Sequence, residues 1–225
     1  MEAILPFAVV RAIHDRRRWL PYTLVAATLF GSVVASGSRT GAALCLLEIF
    51  AVPVIAFLRG AINGRALSRA VLGSFGAIAV LTAIVGWQTL WNRLQEPNPY
   101  ALRWELMKSS FQMAQDRPWT GFGLGTWPMA YPAYARYDDG TFVNQAHNDW
   151  VQWAAEGGIP FLLLMLAIAG WTMGPAVRSL WGVGLLAIFL HALIDYPLQQ
   201  RPALAAFFFA LLGLLAEAPL RSPSQ

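Results

Sequence analysis

A single cysteine, Cys45, occurs in the 225 residues, which excludes a disulfide framework and any cysteine-pair metal centre. Charge is scarce as well. Asp, Glu, Lys and Arg together make up 12% of the chain, about half the share of a soluble domain. Also missing are a Walker loop, a dinucleotide fingerprint following a strand, a nucleophile elbow and an acidic pair spaced like a sugar-nucleotide metal site. These gaps set aside several large classes of nucleotide-dependent and hydrolytic chemistry.

What the chain has instead is apolar length: 57% of its residues are hydrophobic. Runs with little or no charge cover 19–38, 42–58, 70–92, 158–177, 179–194 and 203–216. Against a need for about 20 residues per spanning helix, they predict about six spans, the last two short. The apolar stretch Ala3 to Val10 is too brief to span, and Glu2 with no early basic residue argues against a cleavable signal peptide. It reads as the tail of a helix whose beginning is absent. The expected fold is therefore all-α, a polytopic transmembrane helical bundle with one large loop containing short helices. Residues 1–91 hold the amino-terminal spans, 92–157 the loop and 158–225 the carboxyl-terminal spans.

Basic residues in short loops orient such a chain. Arg11, Arg16, Arg17 and Arg18 precede the first span, Arg59, Arg65 and Arg69 separate the second and third, Arg178 separates the fourth and fifth, and Arg221 follows the last. All fall on one side, which the rule makes the cytoplasm. The long loop, the Ser38–Gly41 turn and the Asp195–Arg201 turn share the other side. Topology thus accounts for the sequence pI of about 9.6 with no nucleic-acid partner.

Within the loop, Asn98-Pro99 reads as a helix start and Pro118 as its stop. A second helix is expected over Gln145 to Glu156, capped by Asn144 and ended by Gly157, with His147 in its first turn. Trp127, Tyr131, Tyr134 and Tyr137 occupy the irregular segment between, suited to a membrane interface. The spaced Gly121, Gly123 and Gly125 suggest a tight turn rather than a phosphate cradle, because no strand leads into them. Asp138-Asp139-Gly140 reads as a solvated turn rather than a cation site.

Arg39, Arg103 and His147 remain on the loop side. A guanidinium stays charged and its fork of donors matches phosphate oxygens. An imidazole, titrating near pH 6.5 by type, accepts a proton from a hydroxyl at neutral pH. Together they suit transfer of a group from a diphosphate to an alcohol; taken singly, a loop histidine is usually solvated and a helix-end arginine usually snorkels to headgroups. Glu48, in mid-span, is expected to make a polar contact to another helix. His191 and Asp195 are four apart and so share a helix face, near the membrane side of His147. Trp19, Trp87, Trp91, Trp171 and Trp181 suit interfacial anchoring, whereas Trp104, Trp119, Trp127, Trp150 and Trp153 suit sugar stacking and loop packing equally.

Read together and in order, Arg103-Trp104, Pro118-Trp119-Thr120-Gly121-Phe122-Gly123-Leu124-Gly125, Ala146-His147-Asn148-Asp149 and Glu156-Gly157-Gly158-Ile159-Pro160 resemble the signature of the O-antigen ligase and polymerase-like family of membrane glycan transferases. The Gly37–Gly41 turn and the His191–Pro197 segment resemble its flanking motifs. The resemblance runs from about Trp19 onward and corresponds to the carboxyl-terminal half of such proteins. It implies a bacterial inner-membrane enzyme that takes a glycan from an undecaprenyl-diphosphate carrier on the periplasmic side and joins it to a glycan, lipid or protein acceptor. Inversion at the anomeric carbon, without metal or cofactor, is implied too. The implied catalytic residues are His147, Arg103 and Arg39; Asn148, Trp104, Trp150 and Arg136 are expected to contact substrate, and His191, Asp195 and Glu156 to support them. A second chain supplying further helices is an expected partner. Two other readings stay open: a transporter or channel marked by Glu48 and His191, and a non-catalytic fragment or subunit.

Overall fold

The computed structural model describes residues 1–15, 17–85, 88, 91, 95, 101–136, 140, 142–199 and 202–217. Arg16, Trp87, Asn98-Pro99, Tyr137, Asp138-Asp139, Arg201 and Arg221 lie outside the described residues. Helices α1 (Leu5–His14), α2 (Trp19–Ala35), α3 (Arg39–Leu58) and α4 (Gly64–Val85) come first. After them come α5 (Ala101–Asp116), the short α6 (Trp127–Ala130), α7 (Asp149–Arg178), α8 (Val183–His191) and α9 (Pro202–Glu217), with 3-10 turns at Tyr131–Ala133 and Leu180–Gly182. No strand occurs among the described residues.

Among the described residues, two stretches are long and apolar enough to cross a membrane, α3 and Asp149–Ala176 of α7. Helix α4 has 22 residues, while α2 and α9 are shorter apolar helices of 17 and 16. At 1.5 Å per residue they reach roughly 25 Å, against a hydrocarbon core of about 30 Å.

The chain divides into two compact units, one of Met1–Glu96, Thr172–Ile188 and Leu211–Gln225, the other of Pro97–Trp171 and Phe189–Ala210. In the first unit Leu5, Phe30, Val33, Cys45, Ile49 and Val52 form a core shared by α1, α2 and α3. The sharp turn from α2 to α3 is written in Ser36-Gly37-Ser38. Gly37 takes a left-handed φ of 70°, and Ser38 caps α3 by accepting the Gly41 amide on its Oγ at 3.1 Å. Arg39 is the first residue of α3. At the other end of α3, Gly60 (φ 69°) closes a Schellman turn in which the Ala61 amide reaches Ala56 O and the Gly60 amide reaches Phe57 O. Glu48 is buried, and neither carboxylate oxygen has a hydrogen-bond partner among the described residues, so the expected polar contact to another helix is not seen.

In the second unit the core is Leu106, Met113, Trp127, Tyr131, Ala146 and Ala155. Trp127 is fully buried, stacks on Tyr131 with centroids 4.5 Å apart, and donates its indole N–H to Ser110 Oγ at 2.9 Å. The expected helix over Gln145 to Glu156 starts later than its sequence suggests. Asn148, not Asn144, caps it, accepting the Val151 amide on Oδ1 at 3.1 Å, and the first helical residue is Asp149.

That helix breaks within one residue of Gly157, where its end was expected, and a second helix follows directly. The kink lies at Gly158, whose φ and ψ are 69° and −172°. The kink frees backbone groups that the segment after α5 then satisfies. Phe122 and Gly123 donate to the carbonyls of Ala155 and Glu156 at 3.0 and 2.8 Å, and the Ile159 amide donates to Pro118 O at 2.7 Å. So close an approach needs bare backbone: a Cβ on Gly121 would strike the Glu156 carbonyl, and one on Gly158 would lie 2.7 Å from Pro118 O. The glycine run is thus a tight turn, as its sequence suggests, with backbone docking as its purpose.

Gly121→Ala combines left-handed strain (φ 61°) with that clash and should cost above about 3 kcal/mol in detergent unfolding. Gly125→Ala, left-handed but facing open space, should cost only about 1–2 kcal/mol. Equal losses at the two positions would mean that the docking contributes nothing.

Candidate functional site

His147 sits one residue before the cap of α7, in a left-handed conformation (φ 54°), the one described non-glycine residue with positive φ. It is therefore outside the helix whose first turn was expected to hold it. Histidine tolerates this backbone better than most residues. The segment around it is fastened on both sides. Ahead of it, the Ala146 amide donates to Gln152 Oε1 at 3.0 Å. Behind it, Asn148 Nδ2 donates to Leu193 O at 2.8 Å, and the Asp149 amide donates to Ala192 O at 2.9 Å. Asp149 Oδ2 accepts the Leu198 amide at 3.0 Å, and the Trp150 indole donates to Phe189 O at 3.0 Å. Residues 145–150 are in this way stapled along 189–199.

At the centre of the staple is Asp195. Its Oδ1 accepts from His147 Nδ1 at 3.2 Å and from the Tyr196 amide at 3.1 Å; its Oδ2 accepts from an Arg103 terminal nitrogen at 3.3 Å. The other terminal nitrogen of Arg103 donates to Ile194 O at 3.0 Å. Burial alone would raise the Asp195 carboxyl, but the His147 hydrogen bond and the Arg103 charge outweigh it and hold the group below its ordinary value. Asp195 is thus an ionised acceptor, which places the imidazole proton on Nδ1 and leaves the lone pair of neutral His147 on Nε2. The Tyr196 ring meets the imidazole edge-on at 4.6 Å and 88°. The side chains of Arg103, His147 and Asp195 keep 32%, 27% and 26% of their surface, so the cluster is reachable from outside.

When neutral, an imidazole held in this way and partly exposed, beside a guanidinium bound to the same carboxylate, can take a proton from a hydroxyl while positive charge stands close by. Asp195 lies in the turn after α8 rather than on its face, held there by its amide bonding to His191 O at 3.0 Å. The His191 side chain contributes a charge interaction to both Asp195 and Asp149. Arg39, the first residue of α3, belongs to the first compact unit.

The remaining expected site residues have largely architectural surroundings. Glu156 is buried and accepts from the Trp127 amide and from Gln152 Nε2. Asn148 spends its amide oxygen on the cap and its nitrogen on Leu193 O. Trp150 packs between Trp153 and Phe189, and Trp127 and Trp153 are buried. Trp104 (56% exposed) and Trp119 (72% exposed) are the loop tryptophans open to a ligand. Arg136 is exposed and acts on the Glu105 carboxylate by charge. Gln152 was missed from sequence. The signal was present: Asn148, Gln152 and Glu156 are polar at successive i, i+4 positions on one face of an otherwise apolar helix.

The family model described as O-antigen ligase matches residues 24–166, well over half of the chain. The chain belongs to the O-antigen ligase family. The match takes in His147, Arg103 and Arg39, and the family is membrane-integral and acts in polysaccharide assembly. No curated protein matches the chain.

In this O-antigen ligase-family chain the Asp195 bonds stabilise the fold only while its carboxyl is ionised. Because the folded value lies below the ordinary one of about 3.9, that contribution is complete above it and disappears as the pH falls through the folded value. Asp195→Asn should therefore lower the melting temperature at pH 7, and the gap to wild type should close below about pH 4. A gap that persists unchanged into acid would show that charge on Asp195 is irrelevant.

Proposed function

We propose that the chain is a bacterial inner-membrane glycosyltransferase that moves a glycan from an undecaprenyl-diphosphate carrier to a hydroxyl-bearing acceptor. The observation that supports this reading most is the His147–Asp195–Arg103 cluster in a chain of the O-antigen ligase family. In the proposed step, His147 Nε2 takes the acceptor hydroxyl proton as that oxygen attacks the anomeric carbon from the face opposite the diphosphate. The bond from that carbon to the diphosphate oxygen breaks, its electron pair leaves with the phosphate, and the configuration inverts. Asp195 holds the imidazole in the tautomer that exposes Nε2 and stabilises the imidazolium that forms. Arg103 places positive charge beside the reacting groups. Arg39 is proposed on chemistry alone as a further cation for the diphosphate. The exposed Trp104 and Trp119 offer apolar faces for sugar rings.

The same proposal includes topology. About six spans, the shorter helices tilting or packing within the bilayer, would put the loop of 92–157 in the periplasm and the basic helix ends in the cytoplasm. A second chain supplying further amino-terminal helices is a proposed partner.

The deciding experiment measures glycan transfer from a lipid-diphosphate donor in membranes at matched protein abundance. His147→Ala should reduce transfer by at least about 100-fold and Asp195→Asn by about 10- to 100-fold, while Trp153→Phe, far from any proton to be moved, should stay near wild type. Unchanged transfer by His147→Ala would end the proposal. For topology, a cysteine at Asn144 should be labelled by an impermeant reagent from the periplasm and one at Ser179 only after the membrane is opened; the reverse pattern would invert the orientation.

A further inference from the structure

The first compact unit holds a cleft of about 850 Å³ that the proposed reaction does not use. Four exposed lining residues mark its mouth, His14 and Trp19 at the ends of α1 and α2, Asn63 just ahead of α4 and Arg69 in its second turn, and its walls include Phe30, Ile49, Gly73, Ala77 and Ile78. Along α4 the lining recurs at Ala66, Arg69, Ala70, Gly73, Ser74 and Ala77, one stripe of a helix. From Ala66 to Ile78 that stripe runs about 18 Å, roughly the depth of one leaflet. The volume is within the about 300–1,000 Å³ usual for small-ligand sites. Apart from the hydroxyls of Thr23 and Ser74 these walls are apolar, and in a bilayer such a cleft favours a hydrocarbon chain over water.

The mouth specifies which hydrocarbon. Segments 14–18 and 59–69 carry Arg17, Arg18, Arg59, Arg65 and Arg69, against Asp15 as their one carboxylate among the described residues. That carboxylate is turned to its own backbone, accepting the Arg17 and Arg18 amides at 3.0 and 3.1 Å. Arg69 and His14 are exposed at the cleft; each makes one bond back to its own helix, Arg69 Nε to Arg65 O and His14 Nδ1 to Val10 O. We propose that this cleft binds an anionic glycerophospholipid, one acyl chain lying along the α4 stripe and the phosphate held by Arg69 with His14. A neutral or zwitterionic headgroup would leave the basic rim uncompensated. The leaflet, though not the binding, rests on the orientation proposed above.

Gly73 and Gly76 provide a matched pair for the test. Both are helical, and a Cβ on either meets nothing within 4 Å, but only Gly73 lines the cleft. The purified full chain, stripped of lipid, is mixed with phosphatidylglycerol or phosphatidylcholine of identical acyl chains, and the bound lipid is read by native mass spectrometry. One phosphatidylglycerol should be retained in preference to phosphatidylcholine. Arg69→Gln should weaken that retention about fivefold, the scale of one basic side chain at an anionic surface. Gly73→Phe should abolish it and Gly76→Phe leave it intact. Equal retention of the two lipids, retention by Gly73→Phe, equal loss in both phenylalanine variants, or recovery of a polypeptide cross-linked in the cleft would each overturn the proposal. Because binding is read in detergent, an inverted topology would leave this result standing, and failed glycan transfer would not bear on it.

Discussion

One carboxylate organises the second compact unit. Asp195 collects donors from three separate pieces of chain: the guanidinium of Arg103 on α5, the imidazole of His147 ahead of α7, and the amide of its own neighbour Tyr196. Their sequence separations of 92 and 48 residues show how far the folding must bring them. The His147 hydrogen bond and the Arg103 charge favour the ionised carboxylate, so the same ionisation strengthens the local fold and fixes the imidazole tautomer. Structure and chemistry are coupled here through a single proton that is not on Asp195.

The backbone around His147 follows from that anchoring. Gln152, one turn into α7, reaches back to the Ala146 amide, and Glu156, a turn further, holds both Gln152 and the amide of buried Trp127. This row of polar side chains connects the aromatic core to the residue in the strained conformation. A left-handed histidine persists only where its surroundings over-determine it, and the flanking hydrogen bonds supply that constraint.

Much of this was legible in the sequence. The composition announced helices, the Gly37-Ser38 stretch announced a turn between α2 and α3, and Pro118 announced the end of α5. The glycine run was readable as a turn because glycine is needed wherever φ is positive. What escaped was whatever long-range bonds decide. Asn144 and Asn148 are equally good caps on paper, and the choice falls to Asn148 because the stretch before it is held against 189–199 instead of winding into helix. Asp195 and His191 have helical spacing, yet α8 ends at His191 and Asp195 turns inward to meet Arg103. Of the five loop tryptophans, burial separates Trp127 and Trp153 from the exposed Trp104 and Trp119, a distinction that local sequence does not carry.

The kink at Gly158 bears on how such a site could live beside a bilayer. A continuous 30-residue rod would convert any tilt of its apolar part into a sweep of its tip, where His147 is attached. The rod is interrupted instead, and the half that carries the histidine is registered to the backbone of 118–123. The Ile159 amide beyond the kink is bonded to Pro118 O as well, so the same segment braces both sides of Gly158 and the change of direction is fixed. The polar half that leads to His147 and the apolar half beyond the kink thus share one bracket, so the bearing of one on the other is set by backbone hydrogen bonds rather than by the stiffness of a helix.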